Sequence, residues 1–127
     1  MRTFFILAAT LLISTTANAK PDRDTVPAAT PIGKPVSCLQ NNEVSETRVQ
    51  SDKVIDFITY SGKVYRNTLP YSCPSLGFEQ RFLHKTSTND YCSIDTITVL
   101  QSPGLSQGAT CGLGEFQPVE LVKMKKE

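Results

Sequence analysis

The sequence predicts a mainly β domain, a small antiparallel barrel or sandwich of five to six short strands with at most a short helix, stapled by two disulfides. Three observations predict it. From Ser37 onward, short β-branched and aromatic runs are separated by Gly, Pro, Ser and Asn. Four cysteines, Cys38, Cys73, Cys92 and Cys111, form an even set in a short chain. The chain also opens on an export signal, which places those cysteines where disulfides persist.

In that signal, Arg2 is a short basic region, Phe4 to Ile13 an apolar run, and Ala17-Asn18-Ala19 a small-residue cleavage site. Residues 1–19 therefore read as a signal peptide. The apolar run is shorter than the roughly 20 residues of a spanning helix. Lys20, not a lipidatable cysteine, follows the cut. The expectation is a periplasmic or secreted protein with no stable membrane anchor. Residues 20–36 carry four prolines and no aromatic residue, the composition of a flexible arm. A single β-rich domain is expected over 37–122, followed by a basic tail, 123–127, with Lys123, Lys125 and Lys126. Once Arg2 leaves with the signal, basic and acidic side chains balance. A neutral chain has no long-range field to gather phosphates, so nucleic acid is not an expected partner.

Within the domain, Val54 to Tyr60 and Lys63 to Leu69 read as a β-hairpin closed by a two-residue Ser61-Gly62 turn, because Gly tolerates positive φ. Pro70, which lacks a donor N–H, ends the second strand. Val44 to Val49 pairs upstream across Ser51-Asp52. In Ser75 to Lys85 helix and strand compete, and a turn of helix feeding a strand is expected. Ile94 to Leu100 is the next strand, stopped by Pro103-Gly104. In the last, Glu115 to Val122, Pro118 argues for an edge or bulged position.

No two cysteines are spaced C-x-x-C, which removes the usual support for thioredoxin-like redox chemistry and for zinc ribbons. Three connectivities are open. The pairing we expect is Cys73 with Cys92, closing a local excursion, and Cys38 with Cys111, tying the start of the domain to its end. With the thiols in disulfides and one histidine, no metal or cofactor is expected.

Val64-Tyr65-Arg66-Asn67-Thr68-Leu69-Pro70, Cys73-Pro74-Ser75-Leu76, Cys92-Ser93-Ile94-Asp95-Thr96-Ile97 and Cys111-Gly112-Leu113-Gly114-Glu115-Phe116 occur in this order. Together they resemble a family of short exported proteobacterial proteins that form a domain of unknown function. The resemblance spans roughly residues 38–119. It implies export, the domain extent and the cysteine framework, and no mechanism.

For chemistry, His84 is the sole histidine, and a nucleophilic triad would draw on it with Ser93 and Asp95, although no G-x-S-x-G elbow is present. Alternation places Asp95 on the face of Ile97 and Val99, where a carboxylate needs a partner such as Arg66, Asn67 or Arg81. The expectation is a polar bridge that fixes strand register or holds the Cys92 turn. A ligand-facing role is the alternative, with Tyr65, Arg66, Asn67 and Asp95 as candidate binding residues. Paired carboxylates for glycoside hydrolysis could be drawn from any of Glu43, Asp56, Glu79, Asp95 and Glu115, and the sequence selects no pair among them. Gly112 and Gly114 read as tight turns beside a cystine, not as a phosphate loop. At least two of Tyr60, Tyr65, Tyr71 and Tyr91 are expected in the core, since the chain has no Trp.

The functional expectation is a non-enzymatic exported binding or envelope accessory protein whose partner is a protein or another envelope component. Ser61-Gly62-Lys63-Val64-Tyr65 has a passing similarity to the Ser-Gly…Tyr hairpin of one class of small exported lysozyme inhibitors, although the turn alone accounts for Ser-Gly. The alternative is a small periplasmic hydrolase using His84 or the carboxylates of Asp95 and Glu79. An envelope metal chaperone ranks third.

Overall fold

The computed structural model describes residues 26–86 and 88–122. The expected signal peptide, the first part of the arm and the basic tail lie outside the described residues. In chain order the described residues form β1 (Ala29–Pro31), β2 (Cys38–Gln40), a 3₁₀ turn (Asn41–Glu43), β3 (Val44–Val49), β4 (Val54–Thr59), β5 (Val64–Thr68) and α1 (Leu76–Glu79). Then follow β6 (Phe82–Lys85), β7 (Asp90–Cys92), β8 (Thr96–Gln101), β9 (Ser106–Gly112) and β10 (Phe116–Leu121). All pairings are antiparallel. A five-stranded sheet runs β1-β10-β5-β4-β3, a three-stranded sheet runs β6-β8-β9, and β2 and β7 form a ribbon. The result is sandwich-like, not a closed barrel. Among the described residues ten strands replace the five or six expected: β1, β2 and β7 are three residues each, too short to show an alternation, and β9, Ser106-Gln107-Gly108-Ala109-Thr110-Cys111-Gly112, has no β-branched or aromatic run to mark it.

The β4–β5 hairpin forms where its β-branched and aromatic runs predict it, but its loop is three residues long. Thr59 N–H donates to Lys63 O at 2.9 Å and Gly62 N–H to Thr59 O at 3.0 Å, enclosing Tyr60, Ser61 and Gly62. Gly62 has φ +88°, the left-handed residue that closes a three-residue hairpin. The extra residue shifts the register by one relative to a two-residue turn, so Asp56 faces Arg66.

The inner face of the large sheet carries Val49, Ile55, Phe57 and Phe116. They pack with Leu39 of the ribbon, Ile97 and Val99 of the small sheet, and Leu69, Leu76 and Leu113 between them. Phe57 sits edge-on to both Phe116 and Tyr91, with ring centroids 5.1 and 5.2 Å away. Tyr65 and Tyr91 pack against this core, whereas Tyr60 and Tyr71 are exposed.

The disulfides are Cys38–Cys92 and Cys73–Cys111, which corrects the expected pairing. Cys38 and Cys92 are directly opposite on the β2–β7 ribbon. Cys73 is buried between the sheets, where it meets Cys111 on β9. The loops span 54 and 38 residues, so chain entropy makes each bridge worth about 4 kcal/mol.

Two further expectations change. In its described part the arm is not free, because Ala29–Pro31 pairs with β10, and Val36 and Phe116 exchange both main-chain bonds at 2.9 Å. β10 is consequently interior, although it carries Pro118. Pro118 O accepts Ile32 N–H at 2.9 Å, so its missing donor faces the point where β1 ends and residues 33–35 loop away. The absent N–H therefore breaks no ladder. Ser75–Lys85 resolves as expected into α1 and then β6.

Candidate functional site

His84 and Asp95 come together at the open seam between the sheets. His84 lies on β6, and Asp95 closes the turn from Cys92 that precedes β8, so the predicted strand starts two residues later than Ile94. Asp95 N–H donates to Cys92 O at 2.9 Å, and Asp95 Oδ2 accepts Cys92 N–H at 2.8 Å and His84 Nε2 at 2.9 Å. Burial pushes the Asp95 carboxyl up, but hydrogen bonds from His84 and Cys92, the His84 charge and the Thr86 hydroxyl together hold it below its ordinary value. The expected partners Arg66, Asn67 and Arg81 are not the ones it takes. The turn braced in this way leaves Ile94 90% exposed at its tip.

The His84 ring stacks on Tyr91 at 4.3 Å, and burial pushes the Tyr91 hydroxyl up. Both residues line a shallow cleft of about 330 Å³ with Thr47 and Gln80 to Leu83. Among the described residues no serine or threonine hydroxyl hydrogen-bonds to His84.

The other candidate residues separate. Tyr65, Arg66 and Asn67 are consecutive on β5 and therefore alternate between faces. Asn67 is fully buried: its Nδ2 donates to Gly114 O at 2.7 Å and its Oδ1 accepts Gly114 N–H at 2.8 Å. A Cβ on Gly114 would collide with the Thr68 carbonyl, which is why glycine stands there. On the opposite face Arg66 grips Asp56 with two bonds, Nε to Oδ1 at 2.8 Å and Nη2 to Oδ2 at 3.0 Å, and Gln50 adds a third at 3.2 Å. Asp56 is 1% exposed. Its signal in the sequence is a single acid inside Val54-Ile55-Asp56-Phe57-Ile58. Glu79 accepts from Ser102 N–H and Oγ. Among the described residues no cluster of three or more His, Cys, Asp or Glu has the arrangement of a metal site.

A second cleft, of about 400 Å³, opens at the tip of the β4–β5 hairpin between Asn42, Glu43, Tyr60, Ser61, Lys63 and Tyr65. The loop is held from within. Thr59 Oγ1 accepts Lys63 N–H at 3.0 Å, lies 3.1 Å from Lys63 O and pairs with Ser61 Oγ at 2.9 Å. Tyr60 N–H donates to Glu43 O at 3.0 Å, while its ring is 78% exposed. Sequence reasoning placed Tyr60 among the aromatics without locating this rim; the Ser-Gly turn was its only local signal.

No protein-family model, curated protein or solved structure matches this chain.

Proposed function

We propose that the protein is an exported binding module, periplasmic or secreted, that holds a protein or envelope component through the hairpin rim at Tyr60–Lys63. The observation that carries this reading is a rigidly fixed loop presenting an exposed tyrosine beside the exposed charges of Lys63 and Glu43. Aromatic anchors flanked by polar groups dominate protein recognition, and a loop already held in place loses little entropy on binding. The two disulfides fit an oxidising compartment. The family of short exported proteins that the four motifs resemble is the class to which we assign the chain.

The test is retention of partners from envelope extract on the immobilised protein, with lysozymes assayed separately for inhibition. Tyr60→Ala with Lys63→Ala should weaken retention about tenfold or more without lowering the melting temperature. No retention at micromolar concentration, or retention unchanged in that variant, overturns the reading.

A second reading, hydrolysis with His84 as general base, is favoured by one observation, the 2.9 Å His84–Asp95 pair beside a cleft. Turnover of ester, phosphoester, glycoside or peptide substrates that His84→Gln abolishes would establish it.

A further inference from the structure

The seam cleft is bounded by two sheet edges. β3 ends the five-stranded sheet and β6 ends the three-stranded one, and Thr47 of β3 lines the cleft together with Arg81, which precedes β6, and Phe82 to His84 of β6. The phase of each ladder identifies the unpaired main-chain groups. Gln50 N–H donates to Val54 O, so by alternation Arg48 bonds to β4 while Thr47 and Val49 turn their N–H and C=O outward. Leu100 N–H donates to Arg81 O, so Leu83 bonds to β8 while Phe82 and His84 turn theirs outward.

Native sheets usually protect such edges. Here the bulge between Val44 and Glu46 interrupts the β3–β4 ladder at one end of β3, and toward the other end Val49 is only 9% exposed, so the open part of the edge centres on Thr47, which lines the cleft. What fits a row of outward main-chain groups is another strand. Arg81, exposed and in no ion pair among the described residues, adds a positive charge to the opposite wall.

We propose that the β3 edge centred on Thr47 receives an extended acidic peptide segment of a partner protein by strand addition, its acidic side chains meeting Arg81. This surface shares no lining residue with the hairpin rim, so the proposal goes beyond that reading and stands or falls separately.

The probe is a blocked octapeptide alternating Val with Glu, titrated into the isotopically labelled protein and followed by amide shifts. Saturable binding centred on Thr47 is expected. N-methylation of alternate peptide amides should weaken it about tenfold or more, and so should Thr47→Pro, because the donor it removes points outward and not into the β3–β4 ladder. Arg81→Glu should transfer the preference to the corresponding Val-Lys peptide. If Thr47→Pro unfolds, the N-methylated peptide and Arg81→Glu decide. Equal binding of N-methylated and parent peptides, no preference of the wild type for Glu over Lys, shifts centred on β1 or β9, self-association through β3, or no saturation by about 1 mM overturns the proposal. Peptide saturation that persists in the Tyr60→Ala, Lys63→Ala variant separates its outcome from that of the hairpin reading.

Discussion

The turn at Cys92–Asp95 and the loop at Thr59–Lys63 are locked by the same device and present different chemistry. In each, a side-chain oxygen accepts a nearby main-chain N–H: Asp95 Oδ2 that of Cys92, and Thr59 Oγ1 that of Lys63. Around Asp95, however, the remaining polar groups are engaged inward by His84, by the Cys38–Cys92 bridge, and by Ser93 N–H donating to Ser37 O. Around Tyr60 the charges of Lys63 and Glu43 stay at the surface beside an aromatic ring. A locked turn is thus a brace where its polar groups face in and a presentation surface where they face out. Substitutions should divide the same way, into those that cost stability and those that cost recognition.

The largest effect is expected from the bridge that joins the sheets. Cys73→Ser with Cys111→Ser should cost about 4–5 kcal/mol in equilibrium unfolding, the upper end of the range for a native disulfide, because it also places hydroxyls in the core. Cys38→Ser with Cys92→Ser should cost less, since Cys38 is exposed and the loss falls on a two-stranded ribbon. Equal costs would contradict the ordering.

Next is the buried ion pair. Asp56→Ala deprives Arg66, whose side chain is 14% exposed, of its carboxylate, which should cost about 3 kcal/mol. Replacing both residues by apolar ones of similar volume should recover most of that. A double variant no more stable than the single would show that the pair contributes more than removal of its desolvation penalty returns.

Asp95→Asn should cost about 1.5–3 kcal/mol near neutral pH, the range for hydrogen bonds to a charged group. Because the folded carboxyl is held below its ordinary value, its contribution is present above the unfolded value of about 3.9 and is lost as the pH falls through the lower folded value. Denaturant midpoints of wild type and variant should therefore converge in acid. A gap that stays constant from neutral pH down to well below 3.9 would remove Asp95 as the brace.

What was legible in the sequence follows from distance along the chain. β4 and β5 were visible because alternation and a Gly turn are local signals, but the length of the loop was not, and that single residue decides whether Asp56 faces Asn67 or Arg66. The cystine pairing was not legible because β2 finds β7 across 54 residues. His84 and Asp95 share a candidate triad in the sequence, but no local pattern joins them, and their contact depends on the β6–β8 register, which places His84 opposite Ile97. β1 was hidden because Ala29-Thr30-Pro31 has no strand pattern of its own and is recruited by the edge of β10. For the same reason Pro118, whose expected place was an edge or a bulged position, lies on an interior strand, opposite the break in pairing between Pro31 and Val36.

The most direct test of this account measures stability and partner retention on the same protein, Tyr60→Ala with Lys63→Ala, beside a folded Asp95→Asn control. Surface changes of this kind should alter unfolding free energy by no more than about 0.5 kcal/mol. The account predicts that the hairpin variant keeps wild-type stability and loses partner retention by about tenfold or more, while Asp95→Asn loses stability and keeps retention. Retention preserved in the hairpin variant and lost in folded Asp95→Asn would contradict it, and would move the functional surface to the His84–Asp95 seam.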